Sequence, residues 1–314
     1  MIKKVIVTGG TGVTGNALVK YLLSQNIEVT ALIRPGSKRI GFLPECNEKL
    51  KIISCGLEEY KSVDRNKFES GYDAFFHLAW DGSAGKEKVN NRNNFKLQNK
   101  NVEHAIDAVE LCHDLCCPVF LMTGSQAEYG IKNKPVTELD EKLPENGYGM
   151  AKLCAEGMTR LLCKQYGIKH VWAILFSIYG PCDATESLID TTIRGLLDNK
   201  TLPYTEGIQK WDYLYSFDAA RALLLLAENG EDGEFYNVAN GKESLCIKDY
   251  IMKIYDILAP ETMPRIGEIP YAGNRIISLS ADVSKLYKAT GFTPEYSFEA
   301  GIRQIIESVT NEQK

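Results

Sequence analysis

The amino-acid sequence predicts an α/β fold in which a doubly wound parallel sheet is followed by a smaller, irregular α+β region near the C-terminus. Three observations carry this prediction. Short β-branched runs alternate with amphipathic helical stretches through the first half of the chain, as in consecutive βαβ units. Glycines follow the first of these runs at the spacing of a strand-to-helix turn. Beyond Tyr179, prolines and glycines interrupt shorter segments.

Strands are expected where β-branched and aromatic residues cluster, and helices where apolar residues recur every three or four positions. The expected strands lie at Val5–Val7, Val29–Ile33, Ile52–Ile53, Ala74–Leu78, Val119–Met122 and Val171–Phe176. The main expected helices lie near Asn16–Leu23, Phe95–Leu115 and Tyr148–Tyr166. This succession is typical of a Rossmann-like domain that binds a dinucleotide.

We predict that residues 1–177 form this dinucleotide-binding domain and that residues 211–240 return to it. Residues 178–210 and 241–314 then form most of a substrate-binding region. That region is expected above the carboxyl edge of the sheet, because ligands bind at this edge in open α/β folds. The sequence between the two parts contains no long linker. We therefore expect the parts to pack together and to share residues.

Composition excludes several classes of function. The 314 residues carry 36 basic and 41 acidic side chains, a net charge of −5, so no broad positive field would attract nucleic acid or an anionic membrane surface. The longest apolar runs fall well short of the roughly 20 residues of a transmembrane helix. The nine cysteines are an odd number without framework spacing, and the N-terminus runs directly into a strand. We expect reduced thiols, no metal site and a cytoplasmic enzyme.

The first strand runs into a glycine-rich turn with the spacing G-x-x-G-x-x-G. Gly9, Gly12 and Gly15 lack a Cβ and permit a tight turn in which the backbone can approach a pyrophosphate. Thr11 and Val13 belong to the same turn, and the N–H groups at the start of the following helix favour an anion. The turn predicts a nicotinamide dinucleotide cofactor.

The end of the second strand bears on which coenzyme is used. An NAD enzyme usually has an acid there to accept hydrogen bonds from the ribose 2′-hydroxyl. This chain has Ile33 at that position, followed by a loop that includes Arg34, Ser37 and Lys38. Guanidinium and ammonium groups favour a 2′-phosphate instead. The sequence therefore favours NADP over NAD.

A candidate catalytic set lies further along the chain. Tyr148 and Lys152 are four residues apart and hence on one face of a helix. A nearby ammonium is expected to lower the pKa of the phenol toward working pH, so that Tyr148 can exchange a proton with a carbonyl or carbinol oxygen. Ser125 follows the strand at Val119–Met122 and can orient the same oxygen.

With these motifs, the chain resembles an extended short-chain dehydrogenase/reductase of the NAD-dependent epimerase/dehydratase family, which modifies nucleotide sugars. Further segments match the family's strands and signatures, namely Asp73–Ala79, Ile178–Pro181, Trp211–Asp218, Asn237–Val238 and Thr290–Pro294. The resemblance implies that Tyr148 is the acid/base, that Lys152 also binds the nicotinamide ribose and that Ser125 orients the carbonyl. It also implies a homodimer that pairs the helices near Phe95–Leu115 and Tyr148–Tyr166.

The resemblance extends the candidate site to further residues. Leu57, Leu78, Ala79 and Trp80 are expected to contact the cofactor, in addition to the glycine turn and the basic loop. The candidate substrate contacts are Asp81, Ser83, Gln126, Ser177, Trp211 and Arg275.

The chain departs from the family's pattern at three places. Cys55-Gly56-Leu57 stands where an acid often binds the adenine, and Ser177 stands where sugar-nucleotide members commonly have Asn. Trp211 replaces an arginine that often binds the diphosphate, leaving Lys210 or Arg275 as substitutes.

Three functions compete on the sequence alone. Because the coenzyme preference fits exchange with a pool of reduced NADP, the first is NADPH-dependent reduction of a 4-keto sugar nucleotide. The alternative is a nucleotide-sugar 4-epimerase with tightly bound NAD, and a second alternative is a non-catalytic NADP-sensing protein. A 4,6-dehydratase would need an Asp-Glu pair where this chain has Gln126 and Ala127. Neither side chain can act as an acid or base at neutral pH.

Overall fold

A computed structural model of the protein describes residues 1–83, 87–132, 134–242, 244–271 and 278–312. The strands are β1 (Lys4–Thr8), β2 (Glu28–Ile33), β3 (Leu50–Ser54), β4 (Ala74–His77), β5 (Val119–Ser125), β6 (Lys169–Leu175), β7 (Ile178–Tyr179), β8 (Pro203–Tyr204), β9 (Lys210–Trp211), β10 (Leu214–Tyr215), β11 (Glu234–Val238), β12 (Leu245–Cys246) and β13 (Arg265–Ile266). The α-helices are α1 (Val13–Ser24), α2 (Lys88–Asn91), α3 (Phe95–Asp114), α4 (Gly147–Tyr166), α5 (Leu188–Leu197), α6 (Ser216–Asn229), α7 (Ile247–Leu258), α8 (Ser284–Thr290) and α9 (Phe298–Glu312).

Seven strands form one parallel sheet in the order β11-β6-β5-β4-β1-β2-β3. The chain leaves β1 toward β2 and β3 on one side and returns to β4 on the other side of β1. The direction of winding therefore reverses between β1 and β4, and ligands of doubly wound sheets bind at such a switch point.

Helices cover both faces of the sheet. Helices α3 and α4 pack together on one face, and α1 and α6 pack together on the other. Leu18 and Leu22 of α1 and Leu223 of α6 are completely buried in the apolar layer beneath the second pair. On the opposite face, Ala105 of α3 and Ala155 of α4 are also completely buried, and these small side chains allow close packing.

The C-terminal region has its own apolar cluster. Ile193 of α5, Ile251 of α7 and Ile302 of α9 lie buried against one another. The carboxylate of Asp218, at the start of α6, accepts hydrogen bonds from the backbone N–H groups of Glu295 and Tyr296 at 2.9 and 3.0 Å. A helix that packs on the sheet thus holds the segment that leads into α9.

The predicted fold class is confirmed: a parallel Rossmann-like sheet is followed by a smaller α/β region. The third strand is longer than its two-residue apolar signal, because Leu50–Ser54 pairs along β2. The strand β11 adds a seventh member beside β6, and it contains the matching segment Asn237–Val238. None of the helices in the described part of the chain is long and apolar enough to cross a membrane.

A buried hydrogen-bond junction fixes the switch point. Thr8 Oγ1 accepts hydrogen bonds from the N–H groups of Leu78 and Ala79 at 3.1 and 3.2 Å, so it donates its own proton to His77 Nδ1 at 2.9 Å. His77 is 1% exposed, and burial together with the Lys152 charge lowers its pKa to about 3. The ring is therefore neutral, and it positions the backbone where β1 and β4 end.

The burial of neutral His77 predicts that the folded protein loses stability in acid. An unfolded histidine binds a proton below about pH 6.5, whereas folded His77 stays neutral down to about pH 3. Its contribution to stability is complete above pH 6.5 and is lost as the pH falls toward 3. We expect about 2 kcal/mol of this loss between pH 6.5 and 5.

Urea unfolding of the wild type and of His77→Gln across this pH range measures the effect. The variant should lose less stability on acidification than the wild type by this amount, even if it is less stable at pH 7. His113→Gln, at an exposed ring on α3, is the control and should keep the wild-type slope. If the free energy of unfolding depends on pH in the same way in all three proteins, His77 is not the neutral buried group that causes the acid sensitivity.

Candidate active site

The glycine turn between β1 and α1 forms a cradle that side chains would fill. Gly9 has a φ of +72°, and a Cβ there would lie 2.8 Å from the Ala79 nitrogen. A Cβ at Gly15 would clash with the Gly9 carbonyl. Gly12 caps α1 without a side-chain hydrogen bond, so the first N–H groups of the helix face the turn. This geometry fits the pyrophosphate of a dinucleotide.

A cleft of about 580 Å³ extends from this turn across the ends of β4, β5 and β6. The dinucleotide-binding side contributes the glycine turn and Leu78, and the C-terminal region contributes the segment after β7 together with Trp211 and Tyr213. Ser125, Tyr148 and Lys152 all line this cleft. The structure thus brings together the three residues that the sequence predicts to be catalytic.

Local structure explains how these three side chains meet. Asn146 caps α4 by accepting a hydrogen bond from the Gly149 N–H at 2.9 Å, which starts the helix one residue before Tyr148. Lys152 follows one turn later. Ser125 ends β5, so its side chain lies where the sheet meets the cleft.

Lys152 is 3% exposed and its charge has no carboxylate within ion-pair distance in the described residues. Its Nζ donates to the Thr123 carbonyl at 2.8 Å and lies 3.9 Å from the centre of the Trp80 ring. Burial lowers the pKa of Lys152 to about 7. The carbonyl dipole and the ring face contact the ammonium and stabilise it, and the charge of Glu128 also favours it.

The sequence analysis predicts that Lys152 lowers the pKa of Tyr148, and the structure does not agree. Burial raises the pKa of Tyr148 above its usual value, and a hydrogen bond with Ser125 and the charge of Arg92 only partly oppose this. The Lys152 ammonium is directed to Thr123 and Trp80. The expected effect is therefore absent, because desolvation exceeds the stabilisation of the phenolate.

Trp80 packs against both Tyr148 and Lys152 of α4. Its ring meets that of Tyr148 edge to face, with centroids 6.1 Å apart, while its face covers Lys152 Nζ. The indole N–H donates to Gln98 Oε1 at 2.9 Å, and Gln98 is itself 2% exposed. The position of Trp80 is thus fixed from α3.

The loop after β5 determines which groups are available for acid/base chemistry. Ser125 Oγ donates to Gln126 Oε1 at 3.0 Å and accepts from the Ala127 N–H at 3.2 Å. Glu128 is completely buried, and burial raises the pKa of its carboxyl. It binds Lys142 and Trp172 on the side away from the cleft.

The predicted binding residues divide into three groups. Those that line the cleft are Gly9, Gly12, Val13, Gly15, Leu78, Trp80, Ser83, Gln126, Ser177 and Trp211. Those outside its lining are Thr11, Arg34, Ser37, Lys38, Leu57, Ala79 and Asp81. Arg275 lies outside the described residues, and the roles of the other two groups remain predictions.

The structure adds residues that the sequence analysis did not select. Arg39 lines the cleft and donates to the backbone carbonyls of Cys182 and Asp183, joining the loop after β2 to the loop after β7. Arg92 also lines it, with its guanidinium 5.6 Å from the centre of the Tyr148 ring. Arg39 directly follows Lys38 in the basic loop after β2 and Arg92 lies in a polar segment, and no spacing in the sequence distinguishes either as part of the cleft.

Comparisons with known proteins agree with this geometry. A model of the NAD dependent epimerase/dehydratase family matches residues 5–239. The dTDP-glucose 4,6-dehydratase of Salmonella typhimurium is 25% identical over 97% of this chain and 92% of its own length. A UDP-N-acetylglucosamine 4-epimerase from Methanobrevibacter ruminantium, solved with UDP-N-acetylmuramic acid, has a TM-score of 0.85 at 25% identity over 99% of both chains.

The same fold occurs in a UDP-glucuronic acid 4-epimerase from Bacillus cereus, solved in complex with NAD. Its TM-score is 0.81 at 23% identity, over 99% of this chain and 100% of that one. The family match includes the glycine turn, the strands that end at the cleft and the helix that carries Tyr148 and Lys152. The resemblance seen in the sequence is confirmed: the chain is an enzyme of the NAD-dependent epimerase/dehydratase family, whose members modify nucleotide sugars.

Proposed function

We propose that the protein is a nucleotide-sugar 4-epimerase, with Tyr148 as the acid/base, Ser125 as the residue that orients the reacting oxygen and Lys152 as the cation beside them. The observation that carries the proposal is the meeting of these three side chains in one cleft with the glycine cradle. The 4-epimerases among the structural relatives support this reading over the reductase that the sequence analysis places first.

The chain's own residues account for the proton chemistry. A nicotinamide coenzyme, when bound in the glycine cradle, supplies the hydride acceptor and donor. Tyr148 Oη takes the proton of the C4 hydroxyl as the ketone forms and returns it when the alcohol is restored. Ser125 Oγ binds the same sugar oxygen, which keeps it within reach of the phenol. Tyr148 has to be a phenolate to take this proton, is a neutral phenol while the ketone exists, and is a phenolate again once the proton is returned; Lys152 supplies positive charge that favours the phenolate form.

The relative from Salmonella typhimurium is named as a dehydratase, yet the loop after β5 in this chain argues against dehydration. Gln126 and Ala127 occupy the positions where a 4,6-dehydratase needs its acid and base. Glu128 is the nearest acid in sequence, and its carboxylate is held by Lys142 and Trp172. None of Gln126, Ala127 and Glu128 is therefore available to protonate a leaving hydroxyl.

One observation favours a second candidate, the NADPH-dependent reduction of a 4-keto sugar nucleotide. Ile33 at the end of β2 is buried, and the exposed Arg34 follows it directly. This end of the strand therefore offers no carboxylate to a ribose 2′-hydroxyl and offers a cation to a 2′-phosphate. A preference for NADP would support a reductase that exchanges its coenzyme at each turnover.

One assay separates the two candidates. The purified protein is denatured and its nicotinamide content measured, and the native protein is incubated with UDP-glucose, UDP-N-acetylglucosamine, UDP-glucuronic acid and dTDP-glucose. An epimerase should retain NAD and interconvert one of these sugars with its 4-epimer without net coenzyme consumption. Protein that lacks bound nicotinamide and consumes NADPH with a 4-keto sugar nucleotide would overturn the epimerase and establish the reductase.

Tyr148→Phe tests the acid/base assignment. The variant keeps the ring that packs on Trp80 and deletes the transferable proton. We expect turnover to fall by about 10²-fold or more, while coenzyme affinity measured by titration changes little. Tyr287→Phe, at a 57% exposed ring on α8, should behave like the wild type. Undiminished turnover of Tyr148→Phe would assign the proton transfer to another group.

Arg34→Asp tests the coenzyme preference. If Arg34 binds a 2′-phosphate, the charge reversal should weaken NADP binding by about 2 kcal/mol or more, through a lost charge-assisted contact and added repulsion. NAD affinity should fall far less. Arg303→Asp makes the same change at an exposed position on α9 and is the control. Equal NADP affinity in Arg34→Asp and the wild type would remove this role.

We also propose that the protein is a cytoplasmic homodimer. Cys55, Cys112 and Cys163 are buried thiols that form no disulfide, as is typical of a protein in a reducing compartment. Met150, Met158 and Leu161 leave an apolar stripe on α4 that is 50–60% exposed, and Phe95 on the adjacent α3 is 69% exposed. Such a stripe is typical of a helix that packs against a partner.

Light scattering at micromolar concentration should give a dimer, and Met158→Asp should shift it toward monomer. A monomeric wild type would contradict the dimer.

A further inference from the structure

We propose that Glu128 is a positioning residue for Ser125, through a buried anchor made of Glu128, Lys142 and Trp172. The inference rests on the proposed function, because Ser125 is assigned there to the sugar oxygen. Glu128 does not line the cleft. It acts on the last residue of β5 from the interior of the protein.

The Glu128 carboxylate contacts Ser125, Trp172 and Lys142. Its Oε1 accepts the backbone N–H of Ser125 at 2.8 Å. The indole N–H of Trp172 donates to the same carboxylate at 3.2 and 3.3 Å, and Lys142 Nζ lies 3.1 Å from Oε2. Glu128 is completely buried, and the Lys142 side chain is 12% exposed. A carboxylate so far from water is stable only where its lone pairs are satisfied in this way.

The neighbouring sequence is adapted to the anchor. A Cβ at Gly124 would clash with both the Glu128 carboxylate and the Trp172 indole, so only glycine permits their approach at this position. Lys142 is held from the other side, with its Nζ 3.9 Å from the centre of the Phe235 ring on β11. The anchor therefore links the last residue of β5 to the middle of β6, and Lys142 also contacts β11.

The anchor also determines the direction of the Ser125 side chain. The Glu128 carboxylate holds the Ser125 N–H while Ser125 Oγ accepts the Ala127 N–H at 3.2 Å, so the two residues cap the same turn reciprocally. With backbone and hydroxyl both held, Ser125 Oγ has little freedom to leave the position beside Tyr148. A catalytic hydroxyl has to be held within about 0.5 Å of its productive position.

A purely structural explanation makes a different prediction. If Glu128 and Lys142 serve only as a buried ion pair, any well-packed neutral replacement of both residues should preserve function. If Glu128 positions Ser125, the replacement must keep an oxygen that can accept the Ser125 N–H. Two double variants separate these cases: Glu128→Gln/Lys142→Met keeps an amide oxygen at this place, and Glu128→Met/Lys142→Met has similar volume without it.

Turnover is the first readout. With the sugar nucleotide identified by the panel assay, kcat of the Met/Met variant should be about 10²-fold below that of the Gln/Met variant. Coenzyme affinity should be equal in the two, since neither residue lines the cleft. The Gln/Met variant should recover most of the wild-type kcat. Equal kcat in both double variants would overturn the proposal and leave only the ion-pair role.

Hydrogen exchange provides a readout that does not depend on the reaction. The Ser125 amide should exchange faster in the Met/Met variant than in the Gln/Met variant, with the two matched in urea stability. Equal exchange would overturn the proposal. If the wild type turns over none of the sugar nucleotides, the proposed function fails, while the difference in exchange still decides whether Glu128 holds Ser125.

Discussion

The burial of the Lys152 ammonium is the constraint on which the site depends. A charge 3% exposed to solvent is costly, and this one is stabilised by direct contact with the Thr123 carbonyl and the face of Trp80, and by the charge of Glu128. These two contacts fix α4 against the end of β5 and bring Tyr148 beside Ser125. Burial of the ammonium lowers the pKa of Lys152 to about 7, and the charge of Glu128 only partly opposes this.

A second consequence concerns Tyr148. In the structure its phenol is kept neutral by burial, with Arg92 and Ser125 as the opposing groups. A neutral phenol is the form that can donate a proton to a ketone, and the form that accepts one must be stabilised by the cations around it. Arg92, at the end of α2, lies with its guanidinium 5.6 Å from the centre of the Tyr148 ring, whereas Lys152 on α4 is directed to Thr123 and Trp80.

Sequence patterns predict the parts of this site that depend on local geometry. The glycine turn follows from residues that lack a Cβ next to a strand, and Tyr148 and Lys152 follow from one helical turn. The anchor beneath Ser125 does not follow in this way, because Glu128, Lys142 and Trp172 are brought together only when β5, β6 and the loop before α4 have packed. Arg39 is likewise placed by the loop after β7, which is remote in sequence. The prediction that Lys152 lowers the pKa of Tyr148 was wrong for the same reason. Spacing along a helix does not reveal which groups shield a side chain from water, and burial raises this pKa.

The central claim is that the chemistry begins and ends at C4 of a nucleotide sugar. The most direct test is to supply the substrate with deuterium at C4 and to locate the label in the product by NMR. The account predicts that deuterium stays on C4 as the configuration there inverts, without exchange with water. Deuterium found at C6 would indicate dehydration, and deuterium lost from the sugar altogether would indicate a net redox reaction, and either result would contradict the account.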